Sequence, residues 1–344
     1  MNDREPSVGG PEESDLVHTV RHGTEEAFGR LVERHRRELQ VHCYRMLGSL
    51  LESEDMVQET YLRAWRNRES FEGRSTFRAW LYRIATNACL DAMRKRPRRV
   101  LPYDVAPATD LASDLPASTR VASIEPYPDF LLEPVAASSD DPVATVVAKE
   151  TIELAFLAAI QHLPPIQRAV LILRDVLGWT ANDTAEVLET SVAAVTSALQ
   201  RSRSTMRERL PRRRADWGPL NSPNADEQAL IERYMLAHER GDTIALAGML
   251  REDVRVAYPP TSLWCEGRDT FVEGSRKHAI VGEYRFMAAR ANMQPAVAIY
   301  LRRPGDTMFR PLVLEVLRFV DGQIAEIIDF EASVFPSFAL PVAL

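Results

Sequence analysis

Apolar side chains recur every three or four positions along the first hundred residues, a period typical of amphipathic helices. The spacing is clearest from Met56 to Trp65. We predict helix starts at Ser53 and Ser75, because a hydroxyl at that point accepts hydrogen bonds from the first backbone amides of a helix. Pro97 ends the last of these helices, so residues 14–97 are predicted to form one all-α domain.

The pattern changes after this proline. Residues 98–147 are rich in proline, alanine, serine and aspartate, and no period persists, which indicates an extended, partly disordered linker. One apolar stretch inside it, Glu125–Glu133, is predicted to dock on a folded surface. A second linker is predicted over residues 212–224, which also lack a period.

Helical periodicity returns over residues 148–211 and is interrupted at Pro164 and Gly178. After Gly178, Thr180 and Asp183 have the spacing of a capping box, and Ser191 can cap a second helix after a short turn. Two short helices joined in this way are typical of a helix-turn-helix domain. Two helices packed in an ordinary bundle are the alternative that the pattern leaves open.

Beyond residue 224, helical segments precede strand-like ones, an order typical of an α+β domain. The predicted helices are Asp226–Arg240, Thr243–Leu250 and Asp269–His278, and the predicted strands are Val254–Tyr258, Ala296–Leu301, Leu312–Val320 and Gln323–Phe330. Asp321 and Gly322 indicate a tight hairpin between the last two strands. We therefore predict a multidomain chain, in which two all-α domains precede an α+β domain over residues 225–335 and a tail over residues 336–344.

Charge is unevenly distributed, although the net charge of −7 is unusual for a protein that binds nucleic acid. Acidic residues concentrate between Asp104 and Glu150, and basic residues concentrate in two runs, Arg94–Arg99 and Arg201–Arg214. Because salt screens charge over about 10 Å, local basic clusters decide whether a surface contacts phosphate. The alternative is that both runs are solvated helix ends, where the helix dipole favours cations.

The composition narrows the class of protein. The hydrophobic fraction of 45% and the charged fraction of 26% are typical of folded globular chains. No apolar run is long enough to span a membrane, and the acidic N-terminus lacks an export signal, so we expect a cytoplasmic protein without membrane contact. Cys43, Cys89 and Cys265 have no paired spacing, so we expect buried cysteines and no metal or cofactor site.

A second group of candidate residues lies between Phe71 and Arg96. Trp80, Arg83, Asn87 and Arg94 share one face of a predicted helix that follows a glycine-containing loop. Aromatic and basic side chains interleaved in this way suit the capture of an unstacked base and its phosphates. The alternative is that the aromatic residues belong to the core.

These motifs resemble the conserved second and fourth regions of extracytoplasmic-function (ECF) RNA polymerase sigma factors. The second region is matched by Asp55, Gln58, Glu59, Tyr61, Trp65, Phe77, Trp80, Leu81, Ile84, Asn87, Asp91 and Arg94. The fourth region is matched by Leu163, Pro164, Gln167, Arg168, Ser191, Val195, Ser197, Leu199, Arg201 and Arg203. The remainder of the chain, together with the Glu125–Glu133 stretch, resembles a subgroup with a cone-shaped SnoaL-like domain of the nuclear-transport-factor-2 (NTF2) superfamily.

The resemblance implies a factor that binds the β and β′ subunits of core RNA polymerase and promoter DNA. Asp55, Gln58 and Glu59 would face the clamp coiled coil of β′. The −10 promoter element would be read by Phe71, Arg74, Trp80, Arg83, Asn87 and Arg94. The −35 element would be read by Ser191, Ala194, Thr196, Ser197, Gln200, Arg201 and Arg203. The chain departs from the family at Thr196, where a basic residue is common, and at Glu189, where glycine is common; no anti-sigma partner is assigned.

Relatives of the C-terminal domain bind or transform small apolar molecules, so the resemblance also implies a cavity for a small-molecule ligand. We expect Tyr258, Trp264, His278 and Asp329 to line it, and His278 and Asp329 to exchange protons if they meet. Regulation is favoured over catalysis, because the sequence has no compact acid–base motif. The rival hypotheses are a ligand-sensing repressor that acts without polymerase, which leaves Asp55–Arg94 unexplained, and an enzyme of polyketide-cyclase type.

Overall fold

The first part of the chain is helical, as its 3.6-residue period predicts. The computed structural model describes residues 11–73, 75–113, 115–132, 152–210 and 225–344. The N-terminal helices are α1 (Pro11–His22), α2 (Glu25–Glu33), α3 (Arg36–Leu47), α4 (Leu50–Arg66) and α5 (Phe77–Met93). No helix in the described ranges is both long and apolar enough to cross a membrane.

Two of the predicted helix starts are wrong, by three residues at Ser53 and by two at Ser75. α4 begins at Leu50, soon after Gly48, whose φ of 71° ends α3, and Ser53 lies fully buried inside α4. The cap of α5 is Thr76 rather than Ser75, and the Thr76 hydroxyl accepts a backbone amide at 3.1 Å. α4 thus follows directly on the turn at Gly48, whereas α5 is capped by a hydroxyl one residue beyond the predicted one.

The next helices are α6 (Leu154–Gln161), α7 (Pro165–Leu171), α8 (Ala181–Val187) and α9 (Val192–Arg209), and a π-helical turn extends α7 over Ile172–Val176. The predicted helix-turn-helix and its two caps are confirmed. The Thr180 hydroxyl accepts the Asp183 amide at 3.1 Å, and the Ser191 hydroxyl accepts the Ala194 amide at 3.2 Å.

The described residues form two compact units. The first contains the described residues up to 47, residues 51–96 and residues 164–202, so the helix-turn-helix packs with the N-terminal helices. Inside it the buried guanidinium of Arg168 donates to the Met46 carbonyl at 2.5 Å. The second unit contains residues 48–50, 97–132, 152–163 and the described residues from 203 onward. This grouping crosses the predicted domain limits, which stay predictions.

In the described C-terminal part, six strands form one sheet in the order β2-β1-β6-β5-β4-β3. They are β1 (Leu250–Ala257), β2 (Trp264–Glu266), β3 (Glu283–Ala291), β4 (Gln294–Arg302), β5 (Arg310–Val320) and β6 (Gln323–Glu331). β1 and β6 are parallel, and the other pairs are antiparallel. Helices α10 (Ala225–Arg240), α11 (Thr243–Met249) and α12 (Arg268–Lys277) share an apolar core with this sheet.

The predicted hairpin at Asp321 and Gly322 is confirmed, because both residues have positive φ, 51° and 73°, between β5 and β6. All four predicted strands are present, but β2 and β3 were not predicted. β3 has few fully buried residues on either face, so its sequence shows little of the alternation by which strands are recognised.

The first predicted linker is packed on the sheet over its described residues. Tyr127 is fully buried, its amide donates to the Asn292 side chain at 2.8 Å, and Asp129 accepts from Arg290 at 2.9 Å. The docking predicted for the apolar stretch is therefore confirmed for residues 125–132, because burying its aromatic and aliphatic side chains outweighs the freedom of an extended chain. Residues 133–147 lie outside the described residues.

Candidate nucleic-acid interface

The aromatic residues of the α5 region form a cluster next to the loop. Phe71 and Phe77 are buried, and Trp80 is half-buried with its ring centroid 5.3 Å from that of Phe71. Phe71 therefore supports the loop from beneath. Trp80 leaves part of its ring accessible for stacking, and Arg74 lies outside the described residues.

A chain of ion pairs connects α4 to the predicted −10 face of α5. Arg63 bonds to Glu59 at 2.6 Å and to Asp91 at 3.1 Å, and Asp91 also accepts from Arg94 at 3.0 Å. Glu59 and Arg94, predicted to contact different partners, are thus joined through two intermediate side chains. Asn87 is half-buried on the same helix.

The predicted polymerase-binding residues lie on an exposed stripe of α4. Asp55 and Gln58 are exposed, whereas Glu59 is turned towards Arg63. Two leucines continue the stripe: Leu51 is 66% exposed and Leu62 is 51% exposed. Positions 51, 55, 58 and 62 are separated by four, three and four residues, so they share one helix face. The sequence did not indicate that these two leucines are exposed, because helical periodicity assigns apolar residues to the core.

All seven residues predicted to contact the −35 element are exposed at the start or along the outer side of α9. Some of their polar groups are used within the helix. The Thr196 hydroxyl donates to the Val192 carbonyl at 2.9 Å, and Arg201 donates to the Ser197 hydroxyl at 2.7 Å. Gln200 makes no hydrogen bond with any described residue, so its amide is available to a base edge.

The predicted −10 face of α5 and the helix-turn-helix meet across a cleft of about 530 Å³. Trp80 and Arg83 line one wall, and Thr180 and Asp183 line the other. Arg83 forms an ion pair with Glu189, which lies in the turn between α8 and α9. An arginine predicted to read DNA is therefore bound by the other DNA-reading module.

The scaffold beneath α5 contains a buried histidine. His42 is fully buried, bonds to the Thr86 hydroxyl at 2.9 Å and lies near Arg45 and Arg78. Burial, and then the charges of the two arginines, lower the pKa of His42 to about 3. The imidazole is therefore neutral in the folded protein at physiological pH.

The C-terminal domain encloses a cavity of about 770 Å³, and three of the four predicted lining residues are there: Tyr258, His278 and Asp329. The prediction for Trp264 is wrong. Its indole donates to the Ala106 carbonyl at 2.8 Å, because the docked linker covers that side of β2. His278 bonds to the Leu111 carbonyl at 3.0 Å, so this nitrogen is not directed at Asp329.

The polar end of this cavity contains two residues that sequence reasoning missed, Glu315 and His238. Burial raises the pKa of Glu315 to about 7, against the hydrogen bond that it accepts from Tyr234 at 2.8 Å. Burial, and then the charge of Glu315, raise the pKa of Asp329 well above its usual range. Burial lowers the pKa of His238 to about 4. The pairing of two carboxyl groups depends on strand register, which the sequence did not reveal.

Two parts of the chain match known family models. Residues 31–99 match Sigma-70 region 2, and residues 153–206 match Sigma-70, region 4. The ECF RNA polymerase sigma factor SigG of Mycobacterium tuberculosis is 40% identical over 322 residues, which cover 92% of this chain and 85% of that protein.

Solved structures agree with the predicted fold class. The crystal structure of the extracytoplasmic-function sigma factor SigJ of Mycobacterium tuberculosis aligns with a TM-score of 0.53 and 21% identity over 91% of this chain and 99% of that chain. An NTF2-like protein from Burkholderia xenovorans aligns with 32% of this chain and 86% of its own, at 13% identity and a TM-score of 0.29. The described elements and the alignment with the SigJ structure confirm two helical regions followed by an α+β domain.

Proposed function

Because this chain belongs to the extracytoplasmic-function RNA polymerase sigma factors, we propose that it reads a promoter through two separate surfaces, α5 for the −10 element and α9 for the −35 element. As a member of this family the chain binds core RNA polymerase and directs promoter recognition. A repressor that acts without polymerase is not favoured, since it leaves the match to Sigma-70 region 2 without a role.

The exposed stripe of α4 is the proposed polymerase contact, on the β′ clamp. Its support is the arrangement of Leu51, Asp55, Gln58 and Leu62, in which two exposed leucines flank a carboxylate and an amide. Exposed apolar residues ringed by polar ones are typical of protein interfaces. Glu59 acts through Arg63 and Asp91, and so positions Arg94 on the neighbouring helix.

The outer side of α9 is the proposed −35 reader. Gln200 and Arg203 project from the helix where they can reach base edges, and the small side chain of Ala194 permits close approach to the major groove. Ser191 has a capping role, so its contribution is to fix the start of α9. Arg201 and Ser197 are paired and together present one donor group to a phosphate.

The free chain is proposed to be a poor promoter binder. In the first unit the α5 face is in contact with the helix-turn-helix through Arg83 and Glu189. The −10 and −35 elements are roughly 25 base pairs, or about 85 Å, apart at 3.4 Å for each pair. Two surfaces that touch cannot span that distance, so polymerase has to separate them before both elements are read.

The C-terminal domain is proposed to modulate this process through the linker that it binds. The linker between the two DNA-reading modules is attached to the sheet by several bonds, among them the pairing of Tyr127 with Asn292 and of Asp129 with Arg290. A linker docked on the sheet allows a shorter distance between the two modules than a free linker does. Docking therefore changes the positions that the modules can take on polymerase. We also propose that the chain is not an enzyme and that it acts in the cytoplasm with polymerase.

Transcription from a promoter library with core polymerase and the full chain tests this function. We expect RNA only when both are present, and a shared pair of −35 and −10 sequences among the active templates. Gln200→Ala should change the preference at −35 positions and leave −10 positions unaltered. Failure to direct RNA synthesis from any template, or a Gln200→Ala change confined to the −10 element, contradicts the proposal.

A further inference from the structure

The lining of the cavity in the C-terminal domain is mostly apolar, and it also contains polar and charged residues, among them Arg276, Asp242 and Glu331. Its volume of about 770 Å³ lies within the 300–1,000 Å³ typical of small-molecule sites. The apolar walls include Leu246, Phe271, Phe286, Ile299 and Leu312. Glu315, Asp329, Tyr258 and His238 form the polar end.

The two carboxyl groups at the polar end are neighbours across two strands, and burial raises the pKa of both. Glu315 and Asp329 are directly opposite each other on β5 and β6, so their side chains lie on the same face of the sheet. Two adjacent buried carboxyl groups cannot both ionise at low cost. Tyr234 donates to Glu315 and so favours its charge, which leaves the proton on Asp329.

One oxygen of this protonated carboxyl group has no partner. Asp329 Oδ1 is buried, and no described residue forms a hydrogen bond with it. His238 Nε2, at the same end of the cavity, is likewise buried without a partner among the described residues. Buried polar atoms left in this way are unfavourable unless a bound molecule satisfies them.

We propose that this cavity binds an uncharged, mostly apolar small molecule whose carbonyl oxygen accepts a hydrogen bond from the carboxyl group of Asp329. The apolar part of the wall favours an uncharged ligand, because desolvating charges there would be costly. Arg276, Asp242 and Glu331 also line the cavity, so this preference applies to the ligand groups that contact the apolar wall and Asp329. The proposal concerns binding and requires no chemical step.

The linker between the two DNA-reading modules forms part of the wall, so binding there is coupled to linker docking. Leu111 and Leu115 line the cavity. Leu111 packs so closely on Gly274 that a Cβ atom on this glycine would lie 2.4 Å from the Leu111 Cβ. The Leu111 and Ala112 carbonyls accept from His278 and Lys277, each at 3.0 Å. A ligand that contacts these leucines favours the docked linker over the released one.

The site is independent of the promoter assignments, whereas an effect on transcription rests on the proposed function. The binding assay therefore omits polymerase and DNA. The probe is prodan, an uncharged naphthyl ketone whose emission shifts to shorter wavelengths in apolar surroundings, titrated with the full chain. Amide hydrogen exchange of Thr109 and Val121 reports linker docking, because these amides donate to the Trp264 and Pro260 carbonyls at 2.8 and 2.7 Å.

We expect saturable prodan binding, a Kd raised at least tenfold by Asp329→Leu, and a Kd within threefold of the original for Asp329→Asn, whose amide still donates. Val313→Trp, which fills the cavity from β5, should abolish binding; Val342→Trp, at an exposed position elsewhere, is the matched control. Prodan should slow exchange at Thr109 and Val121 severalfold in the unaltered chain and in the two variants that still bind it, Asp329→Asn and Val342→Trp, but not in Val313→Trp. Absence of saturable binding, equal binding by Asp329→Leu, or unchanged exchange with prodan bound overturns the proposal.

Discussion

Glu189 combines two unusual properties at one position. Its φ of 51° is in the left-handed region, which costs a residue with a Cβ about 1–2 kcal/mol relative to glycine. Its carboxylate is paired with Arg83 of α5. Glycine would adopt this backbone conformation without strain, but it has no carboxylate to pair with Arg83, the arginine predicted to contact the −10 element.

Glu189→Gly should therefore release Arg83 without destabilising the fold, since the relief of strain offsets the lost pair and the greater freedom of glycine in the unfolded chain. An exposed ion pair contributes about 0.2–1 kcal/mol, so promoter DNA should bind the free chain roughly 1.4- to 5-fold more tightly. Fluorescence anisotropy measures this affinity. Glu186→Gln, at an exposed acid on the same motif, controls for the loss of negative charge. If the two variants bind DNA equally, the pair has no inhibitory role.

His42 makes the stability of the first unit depend on pH. Its folded pKa of about 3 is below the ordinary value of 6.5, so the unfolded state binds a proton that the folded state excludes. The contribution of the neutral His42 to stability is therefore complete above pH 6.5 and is lost progressively as pH falls towards 3.

Thermal melts of the unaltered chain and of His42→Gln at pH 7.5 and 5.0 test this effect. Between these two conditions the melting temperature of His42→Gln should fall less than that of the unaltered chain, because glutamine does not titrate. His18→Gln, at an exposed histidine, should behave like the unaltered chain. Equal acid sensitivity of all three proteins would show that His42 is not the responsible group.

At the scale of elements, the sequence predicted what depends on neighbouring residues. The caps at Thr180 and Ser191 and the Asp321–Gly322 hairpin were found, because each depends on contacts within a few positions. The Arg83–Glu189 pair was not, since 106 positions separate its members. Glu315 and Asp329 were not paired either, because only the register of β5 and β6 places them together.

The exposed stripe of α4 gives a prediction at this scale. Leu62→Asp and Asp55→Lys should each weaken the binding of core polymerase by at least tenfold. Leu62→Asp puts a charge into an apolar contact, and Asp55→Lys reverses the charge of a polar contact. Surface plasmon resonance with immobilised core polymerase measures the Kd. Val342→Asp and Asp269→Lys place equivalent changes at exposed positions outside the helical modules and should bind normally. Unchanged affinity in both α4 variants would remove this stripe from the interface.

At the scale of the whole molecule, the chain combines DNA-reading surfaces with groups that restrain them. In the first unit the helix-turn-helix occupies the predicted −10 face through Arg83. In the second unit the sheet binds the linker that joins the two modules, around Tyr127 and Leu111. The exposed Arg83–Glu189 pair costs little to release, so the polymerase interface can supply the energy for separating the two modules.

The distance between the two modules measures the opening directly. Dyes attached to Glu69→Cys and Asn182→Cys, at exposed positions on the two modules, report it by energy transfer, since Cys43, Cys89 and Cys265 are buried. We predict high transfer efficiency in the free chain and a large decrease when core polymerase and promoter DNA are bound. A transcriptionally active complex that keeps the high efficiency of the free chain would contradict the claim that polymerase separates the two readers.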